Sequence, residues 1–436
     1  MILGSVGLWA QGGGTVLGGS QVPAPAGNAE VPPVLYASGS IRPNVLLLSM
    51  NTETTYDDNV FSTNRLRRGD LLFHLSPRIA LREERKRLSL AFDYLPDLLL
   101  YREAKGYDAF NHGVQLDTNF RFSPHFSLRV TDSFSYRIGL YQPPPSEEIT
   151  PAPGPSTTPN PTVFTPLARQ RDNNVRVDVV YQKSARTSLD WFGGFHRQDF
   201  SQVATAGSSL QDNQGVNAGL EYRYRLDRHN TLGAVYLFQN LSFQQGQRTV
   251  VHTAMLSFDR QLSPSVTVSV FGGPAYVSLH DQLTLDLLFF TITVPVASTQ
   301  TGWTLGANFT KRAKNSVFQV SANHQVSQGG GLLGAVSSSF VSLNMSRRLV
   351  GHWNATWSFA YADNSALSAA QRGSHVRSAI ASFGVEHQLT GNLTTRLGYT
   401  HTRQTSGAPT LLFSGLNENR VSLGVFYRYH QIPLGR

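Results

Sequence analysis

The chain has 436 residues, no cysteine, 40% hydrophobic but only 15% charged residues, and a formal net charge of +9. The missing cysteine excludes a disulfide framework and a thiolate metal site, and no run of eighteen or more apolar residues spells a transmembrane helix. The positive charge is carried mostly by single, scattered arginines, which argues against nucleic acid as a partner and for an anion-friendly lumen or contact with anionic lipid.

Charged residues usually make up about 25% of a soluble domain. Here Gly, Ser, Thr, Asn, Gln and aromatics take their place, a mix suited to a barrel wall with a wet inner face. Residues 1–10, MILGSVGLWA, are apolar, end in Ala10–Gln11 and read as a signal-peptide remnant. Residues 11–43 are rich in Gly, Pro, Ala and Ser and read as a flexible periplasmic tail. Residues 44–436 read as the barrel.

From Val45 onward strands alternate with connections. Short turn signals occur at Glu84–Arg87, Ser123–His125, Ser184–Arg186, Asp227–Asn230, Ser263–Ser265, Ala313–Asn315, Val350–His352 and Thr390–Asn392. Most lie about forty residues apart, which fits two crossings plus one longer loop, repeated. Eight tight turns imply nine hairpins. The fold class is therefore all-β: a transmembrane antiparallel up-and-down barrel of about 18 strands, with 16 as the alternative, and with periplasmic termini in the outer membrane.

Val216–Leu226, VNAGLEYRYRL, shows the facing most clearly. Val216, Ala218, Leu220, Tyr222, Tyr224 and Leu226 fall on one parity, and Asn217, Gly219, Glu221, Arg223 and Arg225 on the other. The first set is expected to face lipid and the second the lumen. An arginine at Leu220 should then block assembly, and one at Gly219 should leave it intact. The same split puts Trp353, Trp357, Phe359 and Tyr361 outside, and Val421, Leu423, Val425, Tyr427 and Tyr429 likewise. Asp132 breaks the pattern, because it shares the apolar face of Phe126, Leu128, Val130, Phe134 and Tyr136. Either a bulge turns it inward or it sits near an interface.

Two connections stand out. Gln142–Pro166 is proline-rich and reads as a disordered extracellular loop, with folding into the barrel mouth as the alternative. Asp281–Gln300 reads as an extension of two strands into a hairpin beyond the membrane.

Thr55–Phe61, TYDDNVF, followed by Gly69–Leu81, GDLLFHLSPRIAL, and Arg87–Tyr94, RLSLAFDY, resembles the β-barrel porin type 2 group. This group includes outer-membrane proteins associated with exopolysaccharide and PEP-CTERM loci. The likeness covers residues 45–140, roughly a quarter of the chain, and only the hairpin plan agrees beyond it. It implies an outer-membrane barrel, a role in exopolysaccharide export and contact with periplasmic export machinery. It transfers no catalytic residue.

Local signatures of catalysis are missing. His196 with Asp199 and His387 with Glu386 lack the even spacing that puts two side chains on one strand face. There is no G-x-S-x-G, P-loop or H-E-x-x-H, and Gly329–Gly331 reads as a loop tip. No cofactor or metal is called for. The strongest signal is a set of inward arginines: Arg121, Arg129, Arg137, Arg176, Arg223, Arg225, Arg396, Arg420 and Arg428. Inward acids include Asp117, Asp178, Asp190, Glu221 and Glu386. Such arginines either form a ladder that selects anions or contacts acidic glycan, or they pair with the acids and stiffen the wall. Phe192 and Phe426 are lumen aromatics open to stacking on sugar. The leading expectation is a porin-like channel with a water-filled lumen, passing polar or anionic solutes or exporting polysaccharide. The alternatives are a non-conducting structural or adhesive barrel and, third, a membrane-embedded hydrolase.

Overall fold

The computed structural model describes residues 44–434, except 63, 65–66, 139–162, 166–167, 203–209, 245, 288–289, 369–370, 372 and 408–414. The expected signal remnant and tail lie outside the described residues. Eighteen antiparallel strands follow in chain order. They are β1 Val45–Asp57, β2 Asp70–Glu84, β3 Leu88–Tyr101, β4 Ala109–Ser123, β5 Phe126–Ile138 and β6 Ala168–Gln182. Next come β7 Thr187–Gln202, β8 Asn213–Arg225, β9 Asn230–Phe243, β10 Arg248–Ser263, β11 Val266–Leu287 and β12 Phe290–Ala313. The last six are β13 Ser316–Gly329, β14 Leu333–Arg348, β15 Trp353–Ala366, β16 His375–Gln388, β17 Leu393–Ser406 and β18 Leu416–Arg428. Each pairs with its sequence neighbours, and β18 returns to β1 from Ser49↔Arg428 to Asp57↔Arg420. A two-residue β19, Ile432–Pro433, extends that seam against Val45 and Leu46. Closure leaves no free sheet edge, which is what a strand-built membrane span requires.

The eight tight turns fall where their residue types place them. Asp227 Oδ1 accepts from the backbone N–H of His229 and Asn230, and Thr390 Oγ1 from those of Asn392 and Leu393. Such side-chain acceptors close turns that strand pairing leaves open. The first strand begins and the last strand ends on this short-turn side, which in such barrels is the periplasmic one.

Facing follows the period of two. On β8, Val216, Ala218, Leu220, Tyr222 and Tyr224 are exposed to the outside, whereas Asn217 and Glu221 are buried inside. Tyr and Phe gather at the ends of the outer apolar band, as at Phe122–Phe126 and Tyr427–Tyr429, where ring centroids lie 5.5 and 4.9 Å apart. This outer band, together with the closed wall, makes the chain an outer-membrane β-barrel.

Asp132 keeps its outward parity. Pairing runs without a slip from Arg121↔Ser127 to His112↔Tyr136, and the one irregularity between β4 and β5 lies at Arg121/Ser123. No bulge rescues Asp132. On β6 its partner is Val175, and the next outward residue there is Asn173, then Arg171. Asp132 therefore sits one step below the point at which the outer face becomes polar, near the extracellular interface.

The expected long hairpin is present. β11 and β12 stay paired from Val266↔Lys311 to Leu287↔Phe290. β13 does not follow them, because it pairs with β12 only up to His324 and then continues with β14 alone to Gly329↔Leu333. Its upper end turns into the barrel. Val326 packs on Val251, Val277 and Leu279 of β10 and β11, and Ala335 on Leu241 and Phe243 of β9.

Candidate functional site: the lumen

Side chains from several elements narrow the lumen at one end. At the extracellular end Val163, Phe164, Leu210, Leu332 and Leu333 form one apolar cluster with Val336, Phe340, Val376, Ile380 and Leu416. These residues come from the approach to β6, the β7–β8 connection and the walls β14, β16 and β18, so the cluster bridges the interior. Apolar loop residues that do not reach the bilayer gain by packing against one another and leaving water. Polar clamps pin the bridge. The Phe164 N–H donates to Gln404 Oε1 at 2.8 Å, and Gln404 Nε2 donates to the Phe164 carbonyl at 2.7 Å. His196 on β7 hydrogen-bonds Gln328 on β13 across the interior. Of the proline-rich stretch, Val163–Thr165 are described, and Val163 and Phe164 are buried in the mouth. For those two residues the alternative reading, folding into the mouth, is the one observed.

Outside this bridge the wall is charged. All nine arginines singled out in the sequence share the inward parity, and six of them are in ion pairs. Arg129 holds Asp117 in a two-armed bond at 2.9 and 2.6 Å. Arg137 pairs with Asp172, Arg176 with Asp178, Arg223 with Glu221 and Arg396 with Glu386. Arg420 bridges Asp57 at 2.9 Å and Glu418 at 2.5 Å. These partners lie two residues away on the same strand (Asp178, Glu221, Glu418), directly across the ladder (Glu386, Asp57) or diagonally across it (Asp117, Asp172), where alternation brings like-facing side chains together.

Arg121, Arg225 and Arg428 are different. Among the described residues they have no carboxylate partner. Each lies beside a tight turn, its backbone N–H bonded to the carbonyl of Arg87, Arg186 or Asn392. Arg312 belongs with them. It faces inward on β12 opposite Val317, is exposed, and donates its N–H to the Ser265 carbonyl. The sequence reading missed it because Lys311, Arg312 and Lys314 blurred the alternation at that turn. Four uncompensated arginines thus ring the periplasmic mouth on β4, β8, β12 and β18.

The sequence reading also missed the charges of β1–β3. Asp93 is buried between Arg78 and Arg82, at 2.6 and 2.7 Å. Asp97 accepts from Ser76 Oγ at 2.6 Å and Asn111 Nδ2 at 3.0 Å, beside His74. The signal was there, since Asp70, His74, Ser76, Arg78 and Arg82 alternate along one face. The opposite arc, β13–β15, presents Gln319, Ser321, Asn323, Asn344, Ser342, Ser338, Thr356, Ser358 and Asn364 to the interior, with Arg348 its one charge at the periplasmic end. A charged arc therefore faces an amide and hydroxyl arc.

Two sugar-stacking candidates resolve differently. Phe192 is buried, with the Arg176 guanidinium 4.5 Å from its centroid on one side and Gly219 on the other, so neither face is open to a ligand. Phe426 is half-buried, with Arg428 6.0 Å from its centroid. His196 and Asp199 lie on opposite faces of β7, His196 toward Gln328 and Asp199 in pairs with Arg171 and Arg197 outside. His387 stacks on Trp353 outside the barrel while Glu386 points inward. Neither pair makes a catalytic constellation.

No family model and no curated protein matches the chain. Solved structures of Pseudomonas aeruginosa outer-membrane proteins share a loose likeness. OccK2 (OpdF), in complex with glucuronate, aligns over 89% of this chain and 100% of its own at 11% identity and a TM-score of 0.44. OpdQ aligns over 89% and 99% at 10% identity and 0.44. OpdK with vanillate aligns over 88% and 98% at 12% identity and 0.41.

Proposed function

We propose that the barrel is a selective outer-membrane channel for small polar solutes, with an anion bias set at its periplasmic mouth. The observation that carries this reading is the division of the lumen arginines. Those along the wall are neutralised by carboxylates, whereas Arg121, Arg225, Arg312 and Arg428 have no carboxylate partner among the described residues at the exit. Fixed charge at a mouth sets the local counter-ion concentration and hence the sign of selectivity. The facing charged and hydroxyl-rich arcs suit a solute that carries both a carboxylate and hydroxyl groups. A polymer of sugar would have to displace the apolar bridge, so the export role implied by the family resemblance is not taken up. The protein needs no chemistry of its own for passive passage.

The test is single-channel recording of the refolded barrel in a salt gradient, with glucuronate as the organic solute. The expected result is small, stable conductance with a reversal potential on the anion side. Replacing the four mouth arginines by Gln should move that potential toward zero. An unmoved potential would remove the mouth from the account. The apolar bridge also favours a second reading, a barrel that conducts only after a partner shifts its mouth. Silence of a folded barrel under all conditions would select it.

A further inference from the structure

The outer surface carries a charge pattern that the channel reading does not use. At the periplasmic end of β10–β14, Arg260, Lys311 and Arg347 all take the outward parity. Lys314 stands in the turn between β12 and β13. All four are exposed, and none has a carboxylate partner among the described residues. At this periplasmic end the outward positions and turns of the arc contain no Asp or Glu among the described residues. Asp259, the nearest acid in sequence, faces inward opposite Ser269.

Their depth is fixed by their neighbours. Phe309 and Phe318, with centroids 6.2 Å apart, lie one outward step above and beside Lys311. On β15 Ala355 lies opposite Arg347, and Trp353, exposed, stands one outward step nearer the turn. Aromatic rings of this kind mark the membrane–water interface. Apolar surface also continues past the cations, because Leu262 is 55% exposed, Leu349 42% and Val350 89%. The cations are therefore set between two apolar zones at headgroup depth, where long side chains reach phosphate from an apolar stem.

From this arrangement we infer that the β10–β14 arc is a binding surface for anionic phospholipid of the periplasmic leaflet. Four positive charges without a carboxylate partner among the described residues call for external anions, and at this depth the anions on offer are lipid phosphates. Charge complementarity favours headgroups with a net negative charge over zwitterionic ones. An acidic periplasmic protein would instead be expected to meet cations on the turns alone, not on lipid-facing strand positions.

The test compares spin-labelled phosphatidylglycerol with spin-labelled phosphatidylcholine around the full-length barrel reconstituted in bilayers. The expected result is at least a twofold preference for phosphatidylglycerol in the motionally restricted fraction, shrinking as salt is raised. The variant R260Q/K311Q/K314Q/R347Q should lose most of that preference, and R260K/R347K should keep it. Folding of each variant is checked by heat-modifiable mobility, and the salt titration of the native chain stands as a second measurement if the quadruple variant fails to fold. Equal association of the two lipids with the native barrel overturns the inference and leaves a protein partner as the reading of the arc. A preference that survives in the folded quadruple variant, or that ignores salt, overturns it too.

Discussion

The ring of Phe192 occupies the space in which a Cβ on Gly219 would stand. The two residues face each other across β7 and β8, and an ideal Cβ on Gly219 would lie 2.2 Å from Phe192 Cζ and 2.8 Å from the Tyr236 carbonyl oxygen. Phe271 lies on Gly306 in the same way, and His196 on Gly215. In each case a large inward ring is laid flat along the wall because its cross-strand partner has no side chain. Gly219 is thus not a free lumen position, and the expectation that it tolerates arginine is wrong for a steric reason.

Gly219→Ala should destabilise the barrel by about 1–3 kcal/mol, the usual cost of overpacking a filled site. Gly219→Arg should block assembly. Phe192→Ala should cost stability alone but relieve Gly219→Ala when combined with it. Urea unfolding in liposomes gives the four corners of this cycle, and strict additivity would show that the ring and the glycine do not meet.

Gln404→Ala should loosen the apolar bridge at its clamp. The two lost hydrogen bonds contribute roughly 0.5–1.5 kcal/mol each, and the Phe164 backbone is left without its partner. The expected outcome is a larger or noisier conductance at nearly unchanged barrel stability. An identical single-channel trace would mean that the bridge does not limit passage.

Arg176→Gln should be costly. It takes the bonded guanidinium from Asp178, buried at 3% exposure with Arg129 left opposite it on β5, and also removes that guanidinium from the Phe192 ring. Breaking one side of a buried pair costs about 3–5 kcal/mol. Arg176→Gln combined with Asp178→Asn should recover much of that loss, as measured by the urea midpoint.

Asp58 gives a pH dependence outside the membrane. Burial pushes its carboxyl up, but hydrogen bonds from the Asn419 side chain at 2.7 Å and backbone at 2.8 Å, and from Arg67 at 2.5 Å, outweigh burial. The folded carboxyl therefore titrates below its unfolded value. Its contribution is present above the ordinary aspartate range, near pH 4, and is lost as pH falls through the lowered folded value. Hydrogen exchange at Asn419 should rise when pH is lowered from 5 to 3 after correction for intrinsic rates, and Asp58→Asn should flatten that response.

Asp132→Val should stabilise the barrel by on the order of 1 kcal/mol, because it removes a lipid-facing carboxylate near the interface. A loss of stability would point to an outside partner for Asp132.

Much of this fold was legible because it is written locally. The turns at Asp227 and Thr390 carry their own acceptors, and Val216–Leu226 alternates without a fault. Arg129 with Asp117 and Arg223 with Glu221 were legible as like-facing residues, although pairing and anion binding read alike until the distances were known. The apolar bridge was not legible. Phe164 meets Gln404 across 240 residues and His196 meets Gln328 across 132, and no sequence period reports such contacts. Leu332, Leu333 and Val336 look like any strand end, and only the departure of β13 from β12 turns them inward.

The seam between β1 and β18 bears on how the molecule is made. Asp57 and Arg420 are 363 residues apart in the chain and 2.9 Å apart in space. The cylinder cannot be sealed until the last strand has been synthesised and carried back to the first, and contacts of such long range are the slowest to form. Until then β1 and β17 each expose a row of unsatisfied donors and acceptors, an invitation to pair with another chain. A nascent polypeptide ending before Leu416 would be left with both edges bare, so that its fate rests on chaperones and proteases rather than on its own stability.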